Sequence, residues 1–155
     1  MAHFAKLGLD NIVERVHCID NIKSMTPGGL EREDIGAEYL TSIHGHTTWK
    51  KCSYNTSKGV HALGGTPFRA NHPAVGWYYS TEHDIFYPPR PTDVNGDVCN
   101  SWTLNTTTGH WEPPIDPPQL YQEQLCCSEC SGWNESAYQA DNTTGWVLET
   151  PEASE

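Results

Sequence analysis

Apolar positions along this chain fall in short runs, and only one stretch shows a helical period. Phe4–Leu7 and Ile12–Ile19 flank Gly8-Leu9-Asp10-Asn11, a pattern that predicts a hairpin. Within the second run Arg15 and His17 lie on one face, and Glu14, Val16 and Cys18 on the other. That alternation is imperfect, so it does not fix which face is buried. Asn21–Gly29 is a connector rich in turn formers. Ile35, Tyr39, Leu40 and Ile43 then follow the i, i+4, i+5, i+8 spacing of an amphipathic helix, predicted over Glu31–Ile43 with acids in its first turn. Gly45 supplies its stop. Trp49–Tyr54 reads as a strand, and Asn55–Arg69, with Gly59, Gly64, Gly65 and Pro67, as a surface loop or loose hairpin.

The second half of the chain repeats one spelling. Trp77–Pro89 and Trp102–Pro114 each carry Trp, eight turn-forming or polar residues, a second aromatic, a spacer and Pro-Pro. Tyr138–Trp146 is a shorter copy without the prolines. Turn chemistry between strand-prone flanks predicts three hairpins, with Trp77 facing Phe86, Trp102 facing Trp111 and Tyr138 facing Trp146. A cross-strand aromatic pair contributes roughly 0.2–1 kcal/mol. Proline cannot donate a ladder hydrogen bond, so the first two hairpins are expected to end at Pro-Pro. Pro88–Pro91, with Thr92–Asn100, and Pro113–Pro118 read as linkers, the second of them stiff and extended.

Composition makes the expected core thin. Leu, Ile, Val and Phe supply 26 of 155 residues against a formal net charge of -11, a combination near the disordered corner of composition space. Six Trp and seven Tyr oppose that, because each buried aromatic removes on the order of 150–250 Å² from water. The resulting fold class is mainly β (α+β with one short helix), a small module of antiparallel hairpins with proline-rich spacers. Residues 1–72 form an N-terminal hairpin, helix and loop region, 73–118 two aromatic hairpin units, and 119–155 a cysteine-bearing insertion, a third hairpin and an acidic tail.

Nine Lys and Arg with no patch denser than Lys50-Lys51 argue against a nucleic-acid partner. No apolar run approaches the ~18 residues that span a bilayer, and the charged residues up to Lys23 leave no signal-peptide core. No membrane partner is expected. The Asn-x-Ser/Thr triplets at Asn55, Asn105, Asn134 and Asn142 are read as turn composition. Cys126, Cys127 and Cys130 form a C-C-x-x-C cluster. A structural zinc site needs four ligands, and Cys99 or His110 is the available fourth. Zinc, a disulfide from Cys99 to the cluster, and reduced thiols all stand open at this point. His44-x-His46 is read as a pair of solvated loop histidines. No nucleophile elbow, phosphate loop or dinucleotide fingerprint is present, so no catalytic residue and no obligatory cofactor is assigned.

The opening MAHFAKLGLDNIVERVH, followed by EDIGAEYL, CSYNTSKGVH, LGGTPFRAN, VGWYYSTEHDIFYPPRP and SWTLNTTTGHWEPP, resembles a family of short structural proteins of marine tailed phages, the cyanophage type especially. The resemblance covers about residues 1–118 in order and weakens after Pro118, where Gln119–Glu135 looks like an insertion. It implies a particle context and carries no catalytic residues. The leading expectation is therefore a virion structural protein bound to capsid, neck, baseplate or tail fibre, with other virion proteins in multiple copies as partners. Trp77, Phe86, Trp102, Trp111, Tyr138 and Trp146 are its interaction or core aromatics. One alternative is a non-virion binding module or assembly chaperone whose cysteines hold zinc. Another is a receptor- or glycan-binding tail-tip module that stacks sugars on exposed rings.

Overall fold

The computed structural model describes residues 1–117 and 132–147. They form a β-rich fold of antiparallel strand pairs with a single substantial helix. The chain divides into two compact units, Met1–Pro89 with Asn105–His110, and Arg90–Leu104 with Trp111–Glu155.

Unit 1 is built on a three-stranded antiparallel sheet of order β2-β1-β3, with β1 at Ala2–Leu7, β2 at Val13–Ile19 and β3 at Trp49–Cys52. β1 is buried on both faces because it is central and each face is covered. Ala2 and Phe4 join Ile19 and Trp49 under Leu40 of helix α1 (Glu33–His44). Ala5 and Leu7 join Val13 and Cys52 under Tyr79 and Phe86. Those two rings come from a hairpin of β6 (Tyr78–Ser80) and β7 (Ile85–Tyr87). The irregular alternation of β2 has a local cause. The register slips between Lys6 and Leu7, so Lys6 pairs with Arg15 while Leu7 pairs with Val13. This bulge adds one residue to β2 and reverses its parity, which lets Val13 and Val16 pack on the same cluster.

α1 begins at Glu33 rather than Glu31, because Glu31 bridges Met25 and Arg32 is the extended cap residue. Its buried stripe is Gly36 and Leu40, while Ile43 points to solvent. Gly45, left-handed with φ 71°, donates to the Thr41 carbonyl and ends the helix. The glycine-rich stretch after β3 contains a small hairpin of β4 (Thr56–Ser57) and β5 (Val60–His61). Lys58 and Gly59 turn it with positive φ at both positions.

The aromatic spelling marks real hairpins, but in the first the pairing is displaced by two residues, with Tyr79 rather than Trp77 facing Phe86. Across β6 and β7 the partners are Tyr78–Tyr87, stacked at 5.5 Å, and Tyr79–Phe86 at 5.2 Å. Trp77 precedes the strand, where its carbonyl accepts from the Val13 N–H. Trp102 likewise precedes β8 (Thr103–Asn105), which pairs with β9 (His110–Glu112). β7 and β9 both stop immediately before Pro-Pro.

The third hairpin is not present. Tyr138 lies on a short helix α2 (Glu135–Ala140), and Trp146 bridges Trp133. The side chain of Asn134 accepts from the Ala137 N–H and caps α2, so Asn-Glu-Ser-Ala starts a helical turn instead of a strand. The boundaries at residues 72 and 118 also move. Thr92–Asn100, read as linker, is folded around a Thr92–Val98 bridge in unit 2. Trp133 and Glu135, assigned to the insertion, are buried there. Residues 118–131, with most of the insertion, and the tail after Val147 lie outside the described residues.

A Cβ on Gly36 meets the Phe4 ring at 2.4 Å. Gly36→Ala is therefore expected to destabilise unit 1 by about 1–3 kcal/mol, although alanine favours a helix by ~1 kcal/mol. Gly28→Ala, where the nearest atom stands at 3.8 Å, should stay within about 0.5 kcal/mol of the parent. Urea titration followed by circular dichroism measures both, and an unchanged midpoint for Gly36→Ala overturns the packing argument.

Candidate functional site

Phe68-Arg69-Ala70-Asn71 organises unit 1. Arg69 and Ala70 both hold positive φ, 50° and 62°, a conformation that costs on the order of 1–3 kcal/mol per residue. Hydrogen bonds offset that cost. The Arg69 carbonyl accepts from Phe86 N–H at 3.0 Å, and the Ala70 carbonyl from Gly59 N–H at 2.9 Å. The Arg69 guanidinium, only 9% exposed, donates to both oxygens of Glu33 at 2.7 and 2.9 Å, to Asp84 at 2.7 Å and to the Lys51 carbonyl at 2.9 Å. It also lies over the Phe68 and Tyr79 rings. The Tyr79 hydroxyl donates a short bond to Asp84, and Glu33 accepts from the Lys51 N–H at 2.9 Å. Burial works to raise the pKa of Glu33, but the Arg69 and Lys51 hydrogen bonds and the Arg69 charge bring it below the ordinary value. Asp84 is lowered in the same way, burial opposing the Tyr79 and Arg69 contacts that prevail.

Asn71, 1% exposed, performs the neutral counterpart. Its amide donates to the carbonyls of Phe86 at 2.9 Å, Gly109 at 3.1 Å and Thr108 at 3.3 Å. Its Oδ1 accepts from the Lys58 N–H at 2.8 Å. Gly109 (φ 65°) allows this approach, since a Cβ there meets the Asn71 amide nitrogen at 2.4 Å.

Beside the sheet, a cleft of about 450 Å³ is lined by His3, Glu31, Lys51, Cys52, Tyr54 and Phe68 among others. Lys51 pairs with Glu31 at 3.0 Å. Tyr54, 73% exposed, stacks on His3 at 5.8 Å, and His72 meets His3 edge-on at 5.4 Å. Nδ1 of His72 is buried without a hydrogen-bond partner among the described residues. Burial pushes the Cys52 thiol up to about 12, so at neutral pH it stays protonated and is not a thiolate nucleophile. Burial also lowers the His3 and His72 pKa values, with the chain amine adding to His3 and His3 to His72.

Unit 2 holds its own aromatic core. Trp133 is fully buried, and meets Trp102 edge-on at 5.9 Å, Trp146 at 5.2 Å and Tyr138 at 5.4 Å. Two buried carboxylates organise it. Glu135 accepts from Trp133 Nε1 at 2.9 Å, from the Ser101 N–H and hydroxyl at 2.9 and 2.7 Å, and from Gln139 at 2.8 Å. Asp93 accepts from the N–H groups of Asn95, Asp97 and Glu135 at 2.8, 2.9 and 2.8 Å. Burial raises and these donors lower both carboxyls, and the donors prevail. Arg90 lies over the Trp111 ring at 4.2 Å and donates to the Cys99, Asn100 and Trp102 carbonyls.

Of the residues singled out in the sequence, Trp77 and Phe86 thus pack in unit 1, and Trp102, Trp111, Tyr138 and Trp146 in unit 2. Cys99 is buried in that same second cluster. Cys126, Cys127 and Cys130 lie outside the described residues. Among the described residues no three His, Cys, Asp or Glu side chains converge as a metal site. Arg69, Asn71, Asp93, Trp133 and Glu135 carry no periodic signal in the sequence. The only hint is local, since Arg69 and Asn71 sit in a glycine- and proline-punctuated stretch that has no apolar pattern to explain it.

No protein-family model, no curated protein and no solved structure matches this chain.

Arg69→Met is expected to cost about 2–4 kcal/mol, because it strands Glu33 half-buried and unpaired. Arg69→Lys should recover only part of this, since an ammonium cannot reproduce the fork. A variant with parental stability in urea contradicts that role. Burial lowers the pKa of His3, His17, His72 and His110 in unit 1. The unfolded chain therefore binds more protons than the folded one as pH falls below about 6.5, and stability declines from there. The depressed carboxyls, Glu33, Asp84, Asp93 and Glu135, add a second loss below about pH 4.5. Thermal midpoints measured from pH 8 to 3 should fall in two stages, whereas a flat profile between pH 6.5 and 5 contradicts the histidine contribution.

Proposed function

We propose that this chain is a non-enzymatic phage virion structural protein, an accessory module bound to capsid, neck, baseplate or tail fibre through other virion proteins present in repeated copies. The reading rests on the resemblance of residues 1–118, noted from their motifs, to short structural proteins of tailed phages. Surface composition supports it. Among the described residues ten of the scarce aliphatics are exposed, Leu9 at 89%, Leu63 at 79%, Ile22 at 69% and Val75 at 68% among them. A chain with so little apolar stock gains from covering such side chains at roughly 25 cal/mol per Å² removed from water. An obligate partner then adds stability by mass action. Charge supports the same reading. Arg90–Leu104 and Trp111–Glu155 contain eleven acids and one base, Arg90, which favours fast, salt-sensitive association with a basic protein surface.

The sugar-stacking alternative gains nothing from Trp102, Trp111, Tyr138 or Trp146, whose rings pack in the unit 2 core. The expected outcome of mass spectrometry on purified particles is this chain at a fixed copy number. Its presence in infected-cell lysate but not in the particle overturns the proposal in favour of a non-virion binding module.

A further inference from the structure

Three imidazoles surround one indole on the α1 side of the unit 1 sheet. Trp49 of β3 is 4% exposed, and its Nε1 donates to the His46 carbonyl at 2.7 Å, which fixes the ring. His17 of β2 lies 5.2 Å from it, His44 of the last turn of α1 5.6 Å, and His46 5.8 Å. His46 is occupied, because its Nε2 stands 2.6 Å from the Leu7 carbonyl. His17 and His44 are not. Their ring centroids are 4.7 Å apart with planes inclined at 51°, and among the described residues neither ring is engaged in a hydrogen bond.

We propose that His17 and His44 form a two-imidazole binding site for a borderline divalent transition-metal ion of the zinc class. A zinc ion takes imidazole nitrogen at about 2.0–2.1 Å, so two rings sharing one tetrahedral ion have centroids roughly 5 Å apart. The observed separation is close to that, and it arises from two different elements, strand and helix, held by the Trp49 ring. Burial, with the His44, Arg15 and Lys6 charges adding to it, lowers the His17 pKa. The nearby Arg15 and Lys6 charges disfavour any ion held by charge alone. Selection then rests on the affinity of imidazole for zinc, copper and nickel, and magnesium and calcium are excluded. His44 is exposed, leaving the remaining coordination positions to water. A bound ion joins the end of α1 to the edge strand of the sheet.

The test is long-range proton–nitrogen imidazole spectroscopy on the full chain labelled with nitrogen-15, titrated with zinc chloride past the equivalents that cysteine thiols consume. One nitrogen of His17 and one of His44 should move together on a single binding curve, while magnesium chloride moves neither. His44→Ala, at an exposed position, should abolish the His17 response and leave the remaining spectrum folded. The inference is overturned if His17 and His44 stay unmoved at millimolar zinc, or if His17 still responds in His44→Ala.

Discussion

A guanidinium taken out of water has to be given acceptors, and Arg69 receives them from every element that surrounds it. Glu33 comes from the start of α1, the Lys51 carbonyl from β3, and Asp84 from the turn between β6 and β7. Satisfying one cation therefore fixes the helix against the sheet on one side and the aromatic hairpin on the other. Aliphatic packing alone does not set these positions so closely in a core whose fully buried large side chains in unit 1 include only Phe4, Phe86, Leu7, Leu40 and Val13 among the apolar ones. The left-handed backbone at Arg69 and Ala70 is part of the same arrangement, because it turns both carbonyls toward neighbouring strands.

Unit 2 solves the same problem with the opposite sign. There the buried charges are carboxylates, and the donors are backbone amides, an indole and a hydroxyl. Each unit thus places ionised groups where a richer sequence would place leucine. Orientation is gained through directional bonds, at the expense of sensitivity to pH, since protonating a buried acceptor removes the reason for its burial.

What the sequence reveals follows from which interactions leave a period. β1, β2, α1 and the Pro-Pro stops were legible because burial and proline chemistry repeat at fixed spacings. The parity reversal at the bulge opposite Lys6 and Leu7 was visible only as noise in β2. The aromatic spelling located both hairpins but misassigned the partners of the first, since a fixed spacing between rings does not set strand register; the turn does. Tyr138–Trp146 failed for a related reason. Its spelling matched the hairpins, yet the Asn134 cap and the bridge from Trp133 decided its conformation. Arg69, Asn71, Asp93 and Glu135 make contacts across 15 to 42 residues of sequence. No local pattern encodes such contacts. The cleft beside His3 was invisible for the same reason.

Neither unit is a continuous stretch of chain, and this governs the order in which the protein matures during synthesis. Met1–Pro89 emerges first, yet it lacks residues 105–110, which arrive only after Arg90–Leu104. Until then the amide of Asn71 has no Thr108 or Gly109 carbonyl to meet, and keeps only its Phe86 and Lys58 bonds. A nascent chain paused before residue 105 therefore holds the whole β2-β1-β3 sheet but leaves Asn71 without its Thr108 and Gly109 acceptors. The turn that follows β8 closes that gap, so the time taken to synthesise residues 90–110 sets how long unit 1 waits for its last segment.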